Sequence, residues 1–269
     1  MNGPVFRRLA FAFALLTAAA VGFAGAFLFP QPAPVIAPLP ISIPKPTPDV
    51  LTRMKAATVF LEIEHAGGVL TAGSGWFGGE PNWIVTNAHV VGRLDPKQPP
   101  VKITAFVYPG VLGKQLAFRN DSLRVLAVDR DMDLAIVEVV NPPAPLPAPL
   151  PLRASATLTE LEPLVVLGFP GGRRLAEKNR RTDPPAVSVI AATVSGLRRD
   201  AFDNLYAVQV HGGIHHGGSG GPVCDRDGHC VGVAQRVDLD HASRLTGIGY
   251  AVPTEFVTRL MADSGQRQR

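Results

Sequence analysis

A chain of 269 residues with 26 Lys and Arg against 22 Asp and Glu has a formal charge of +4 and a pI near 9.3. It is mildly apolar and long enough for two small domains or one large one. The positive excess is too slight and too scattered for a nucleic-acid partner, and no aromatic-interleaved basic patch occurs.

Arg7 and Arg8 precede an uncharged run, Leu9–Phe29. At about 1.5 Å per residue such a helix crosses a bilayer core of roughly 30 Å. Residues 1–29 therefore read as a transmembrane signal anchor, with the arginines holding the N-terminus in the cytoplasm and the remainder outside, in the periplasm. The same run also fits a signal peptide cleaved after Ala26, since Ala24-Gly-Ala26 is a small-residue site behind an apolar stretch; the product would then be secreted. Residues 30–48 hold eight prolines and predict an extended, semi-rigid tether.

Thr47–Lys55 predicts a short capped helix. Ala57–Glu64, Val69–Phe77, Trp83–Val85, Val101–Val107, Leu123–Asp129 and Leu134–Val140 predict strands, so 49–140 forms a first β-rich unit. The proline-rich stretch 141–153 reads as a connector. A second unit, 154–262, holds strand patterns at Pro163–Phe169, Ala186–Gly196, Tyr206–Val210, Pro222–Cys224, Cys230–Gln235 and Gly249–Val252. A closing helix is expected over Pro253–Ala262, and 263–269 is a frayed tail. Short strands with Gly and Pro punctuation and no long amphipathic helix indicate an all-β barrel or sandwich. Gly171–Pro185, with five Lys or Arg against Glu177 and Asp183, reads as a solvated loop; its sharper alternative is a contact to anionic lipid or an acidic partner.

Three stretches carry chemistry. Trp83-Ile-Val-Thr-Asn-Ala-His-Val-Val91 places His89 near a strand end, and Asp131-Met-Asp-Leu-Ala-Ile-Val-Glu-Val139 places Asp133 directly before a strand. His211-Gly-Gly-Ile-His-His-Gly-Gly-Ser-Gly-Gly-Pro-Val223 sets one hydroxyl, Ser219, among glycines that can turn tightly and aim several N–H groups at one point. A nucleophilic serine needs a general base, and the base needs an orienting acid. Thr86-Asn-Ala-His89, Asp133-Leu-Ala-Ile-Val137 and Gly217-Gly-Ser-Gly-Gly-Pro222 resemble the three signatures of the chymotrypsin-like (trypsin-fold) serine proteases, most of all the bacterial HtrA/Deg branch. Gly73-Ser-Gly-Trp-Phe77, Gly168-Phe-Pro170 and Gly247-Ile-Gly-Tyr-Ala-Val-Pro253 extend the resemblance, which runs from about Asp49 to Pro253.

The resemblance implies a double six-stranded β-barrel with the active site between the barrels. It assigns Ser219 as nucleophile, His89 as base and Asp133 as acid; Asp131 competes, but the family's acid stands directly before the apolar run. The N–H groups of Gly217 and Ser219 match the family's oxyanion-hole positions. No metal or organic cofactor is implied, and the partners are protein or peptide substrates. Many proteases of this type carry a PDZ domain, and none is expected here. The residue before the serine is usually Asp or Asn; here it is Gly218, so a loop-fixing contact is missing and the hole is expected to be less rigid. In this fold the residue six before the nucleophile lies at the base of the substrate pocket. That residue is Gly213, next to Ile214, and neither can neutralise a cation, so small or medium apolar side chains are expected there. Asp238 and Asp240 are the carboxylates that could alter this preference.

His211, His215 and His216 lack a recognisable ligand spacing and read as cleft-lining or surface residues rather than a metal site. Cys224 and Cys230 flank Asp227-Gly228, a hairpin-turn signal, so they should face each other on two strands. Outside the cytoplasm a disulfide between them is expected, with two reduced thiols as the alternative. The function expected is a serine endopeptidase; the alternative is a non-catalytic binding or scaffold protein of the same fold.

Overall fold

The computed structural model describes residues 45–92, 102–107, 116–172, 186–239 and 245–267. The expected anchor, most of the proline-rich tether, nearly all of the basic loop and the last two residues lie outside them. Among the described residues no helix is long and apolar enough to cross a membrane.

Helix α1 (Pro48–Ala57) opens the described chain. Thr47 caps it, accepting from Val50 N at 3.4 Å, and Pro48 takes the first turn, where its missing N–H costs nothing. The helix buries Met54 and Ala57 and sends Arg53 Nη2 to the carbonyl of Asp227 at 3.0 Å. It therefore leans on a hairpin of the second half, far away in sequence.

The first half is a seven-stranded antiparallel sheet: β1 (Thr58–Glu64), β2 (Leu70–Phe77), β3 (Trp83–Thr86), β4 (Lys102–Val107), β5 (Leu116–Arg119), β6 (Leu123–Asp129) and β7 (Leu134–Val139), in the order β5-β4-β1-β2-β3-β7-β6. This corrects the expected closed six-stranded barrel. Strand β5 carried no clear sequence signal; it is four residues long, with one of them buried. A tight turn, Asn120–Ser122, leads from it straight to β6 on the opposite edge. The sheet thus curls until its edges are joined by a turn, and no ladder pairs β5 with β6 among the described residues.

The second half matches the expected closed barrel. Its strands are β8 (Pro163–Gly168), β9 (Ser188–Arg199), β10 (Leu205–His211), β11 (Pro222–Cys224), β12 (Cys230–Leu239) and β13 (Leu245–Pro253), closing in the order β10-β13-β12-β11-β8-β9. Helix α2 (Thr254–Arg267) follows, so most of the expected frayed tail is helical. The connector is laid along both halves: Leu150 N donates to Phe77 O at 2.8 Å, and Cys230 N donates to Pro151 O at 2.8 Å.

One core cluster spans both halves, and a second lies within the second half. In the spanning core, Val59, Leu61, Ile63, Trp76 and Ile136 of the first half cluster with Leu167, Val233 and Val252 of the second half. Side chains alternate along a strand, so Phe60 leaves the face of Val59 and Leu61; it packs against Phe169 in a tilted arrangement, with ring centroids 5.2 Å apart. Ser74 is the cross-strand partner of Phe60 and shares that face, toward the second half.

Candidate active site

Strand pairing explains how His89 and Asp133 meet. In the β3–β7 ladder Thr86 stands opposite Ala135. The chain leaving β3 and the chain entering β7 therefore sit at the same end of the sheet. Asp133 there adopts φ +57°, a left-handed conformation uncommon outside glycine. Its carbonyl accepts from Asn87 Nδ2 at 2.9 Å and from Ala88 N at 3.1 Å. Its carboxylate accepts from His89 N at 2.9 Å and meets His89 Nδ1 at 2.6 Å. Four contacts to Asn87-Ala88-His89 hold the strained backbone in place, and strain of this kind gathers at functional sites. Asp131 takes no part: its N–H donates to Asp129 Oδ1 within the preceding turn. His89 is exposed enough to meet a substrate, whereas Asp133 is buried.

Ser219 lies in the loop between β10 and β11. Gly217 and Gly220 adopt φ +86° and +85°, respectively. A Cβ on Gly220 would stand 2.1 Å from Ser74 O, and one on Gly221 2.2 Å from Leu167 O, so only glycine lets this loop lie between the two halves. His216 O accepts from Gly171 N at 2.8 Å, His215 O from Gly218 N at 2.9 Å, and Gly218 O from Gly221 N at 3.0 Å. The N–H groups of Gly217 and Ser219 have no acceptor among the described residues, two orphan donors on either side of Gly218.

The Ser219 hydroxyl donates to Gln235 O at 3.0 Å. The Gln235 side chain reaches back to the dyad, its Nε2 3.5 Å from both Asp133 Oδ2 and Met132 O. One residue of β12 therefore touches both the serine and the aspartate. Among the described residues His89 makes no hydrogen bond to Ser219.

A model of the trypsin-like peptidase domain matches residues 73–233, from within β2 to within β12, and so spans His89, Asp133 and Ser219. The chain belongs to this family. An HtrA-like serine protease of Staphylococcus aureus (strain bovine RF122 / ET3-1) is 28% identical over 196 residues, covering 69% of this chain. The same alignment covers 22% of that relative, so the chain spans about a fifth of its length. In fold, the chain is similar to Deg5 (TM-score 0.58, 23% identity, 78% of this chain and 90% of that one). It is also similar to the HtrA-type protease AlgW solved with a tripeptide (TM-score 0.59, 20% identity, 79% and 61%).

Other candidate residues of this trypsin-like domain are placed as follows. Gly213 is buried, and a Cβ there would meet Val166 Cγ2 at 2.7 Å. Ile214 is buried in the second-half core against Gly249. His211 stands at the end of β10 beside Gly247, and His216 is exposed. The side chains of Asp238 and Asp240 lie outside the described residues.

The cysteines correct the expected disulfide. Cys224 and Cys230 are cross-strand partners, and the turn between them forms, with Gly228 at φ +85°. Both are nevertheless free thiols, fully buried. The ladder slips by a residue between Val223 and Cys224, and Cys230 Sγ donates to Gly232 O at 3.2 Å. The contact with Cys230, and then burial, push the Cys224 thiol well above its ordinary range. The thiolate needed for oxidation is thereby suppressed.

Sequence reasoning missed two residues of this neighbourhood. Gln235 was only the end of a strand pattern, and Ser74 only a letter in Gly73-Ser-Gly-Trp-Phe77.

Proposed function

We propose that the protein is a serine endopeptidase working through Ser219, His89 and Asp133. Asp133, bonded to Nδ1, holds the imidazole so that Nε2 is the basic nitrogen. The Ser219 hydroxyl turns from the Gln235 carbonyl toward His89, gives up its proton to Nε2, and attacks the substrate carbonyl carbon. The carbonyl oxygen becomes an oxyanion and takes hydrogen bonds from the orphan N–H groups of Gly217 and Ser219. His89 then delivers its proton to the leaving amine, the C–N bond breaks, and an ester to Ser219 remains. Water, deprotonated by His89, hydrolyses that ester and frees Ser219. The observation that carries this reading is the 2.6 Å contact of His89 Nδ1 with Asp133, whose backbone is held in a strained conformation.

The substrate class follows from residue types. Gly213 and Ile214, which the family resemblance puts at the base of the substrate pocket, offer no counter-charge, and an unpaired buried cation costs several kcal/mol. Cleavage is expected after small or medium apolar residues. The uncharged run after Arg7 and Arg8 supports an extracytoplasmic catalytic domain on a membrane anchor, and so substrates in that compartment.

The resting contact of Ser219 with Gln235 is the one observation favouring the alternative, a binding protein that keeps the fold. A fluorophosphonate probe separates the two. The endopeptidase reading expects one adduct on Ser219 and none on Ser219→Ala; a folded wild-type protein that takes no label refutes it. Mass-spectrometric mapping of cuts in an unfolded protein tests the pocket, and dominant cleavage after Lys or Arg would overturn it.

A further inference from the structure

Three separated motifs converge on one buried hydroxyl. Ser74, on β2, is fully buried, yet every polar group it owns has a partner. Its carbonyl accepts from Thr86 Oγ1 at 2.7 Å, within the first half. Its other groups cross to the second half. Ser74 N donates to Ser219 O at 2.8 Å, and Ser74 Oγ donates to Gly217 O at 2.9 Å. The same oxygen accepts from Phe169 N at 3.0 Å. Gly168 permits the approach, since a Cβ there would stand 2.9 Å from the hydroxyl.

These bonds act on the two donors proposed for the oxyanion. The Gly217 N–H belongs to the His216–Gly217 peptide, and the Gly217 carbonyl to the next peptide. With φ at +86° and no Cβ, glycine by itself does not fix the angle between those planes. Gly171 N holds the first plane through His216 O. The second plane is held through Gly217 O, whose partner is the Ser74 hydroxyl. Gly218 has no side chain to assist. Its Cα lies against Gly168, and a Cβ on Gly218 itself would already crowd His215 O at 3.0 Å.

We propose that Ser74 is a positioning residue of the oxyanion loop: its hydroxyl, donated from the first half, aims the Gly217 N–H and does the work that a side chain at 218 would do. This rests on the endopeptidase reading above. It replaces the expectation of a loosely held hole with one clamped across the interface of the two halves. Ser74 touches no substrate; it acts through Gly217.

The test compares two buried hydroxyls. Ser155 is also fully buried, with its Oγ 2.5 Å from Val231 O and 3.0 Å from Thr254 Oγ1 and accepting from Thr254 N at 2.8 Å, and it has no contact with the loop. Ser74→Ala and Ser155→Ala should both lower Tm. Fluorophosphonate labelling of Ser219 should slow by about 10- to 100-fold in Ser74→Ala alone, a step below outright loss of an oxyanion donor. The acid limb of the labelling pH profile should stay where it is in wild type. Ser74→Thr, which keeps the hydroxyl, should restore most of the rate. If Ser74→Ala does not fold, Ser74→Cys, nearly isosteric with a weaker donor, takes its place with the same expectation. Equal labelling of wild type and the hydroxyl-free variant overturns the proposal and leaves the endopeptidase reading standing. Equal slowing in Ser155→Ala also overturns it, since general destabilisation would then explain the loss. Wild-type protein that is folded but never labels at Ser219 removes both.

Discussion

Gly220→Ala tests the close approach on which the site depends. Gly220 adopts φ +85°, and an added Cβ would stand 2.1 Å from Ser74 O and 2.3 Å from Thr86 Oγ1. Ordinary contact begins near 3.4 Å, so the backbone oxygen would have to give way by about 1.3 Å (3.4 − 2.1). The two atoms it meets are bonded to each other at 2.7 Å, and Gly220 N itself donates to Ala234 O at 2.7 Å. The left-handed conformation alone costs an L-residue about 1–2 kcal/mol, and overpacking adds about 1–3 kcal/mol. The sum, about 2–5 kcal/mol, corresponds to a loss of roughly 5–20 °C in Tm for a protein of this size. Gly67→Ala is the matched control: φ is +82° with nothing within 4 Å of the added carbon, so only the backbone cost of about 1–2 kcal/mol applies. Thermal melts of the two variants beside wild type isolate the clash as their difference. Indistinguishable melting of Gly220→Ala and Gly67→Ala would refute the claim that the loop is wedged between the halves.

Ser219→Ala should leave Tm near wild type and reduce peptide hydrolysis by several orders of magnitude; near-normal turnover would exclude Ser219 as nucleophile. Arg153 grips Glu162 with Nη1–Oε1 at 2.5 Å, in a partly buried site that also includes Asp225. Burial opposes the charged form of Glu162, but the Arg153 hydrogen bond and those from Thr159 outweigh it, so its carboxyl lies below the ordinary range. A carboxyl lowered on folding stabilises above its unfolded pKa, and that contribution is lost as pH falls through the folded value. Glu162→Gln should therefore be destabilised by about 1–3 kcal/mol near neutral pH, and denaturant titrations should show the gap to wild type closing in acid; a gap independent of pH would contradict this. Cys224 and Cys230 should resist alkylation in the folded protein and both react after denaturation, because burial and a raised Cys224 pKa withhold the thiolate. Intact-mass analysis before and after unfolding reads this directly, and rapid labelling of the native protein would contradict it.

Local chemistry made much of the molecule legible. Strand patterns such as Leu123–Asp129 and Pro222–Cys224 have the bounds read from alternation and flanking turns. The Asp227-Gly228 signal forms the turn it predicts, since a left-handed glycine there follows from residue type alone. Strand β5 was missed because four residues with one buried side chain carry no period to read. The closed first barrel was over-read for a related reason: strand count is a property of sequence, but closure depends on which edges pair.

The sequence by itself determined the residue types and their order: a histidine at one strand end, an aspartate at another strand start, and a serine among glycines. Only the tertiary structure decided what these groups touch. The hydroxyl of Ser74 meets the carbonyl of Gly217 across 143 positions, and the Gln235 amide meets Asp133 across 102. Neither contact leaves a trace in local periodicity, because each depends on how two separately patterned halves come to rest on one another. The free state of Cys224 and Cys230 is of the same kind: the turn that sets them opposite is local, but the burial and the one-residue slip that keep them as thiols belong to the packed core.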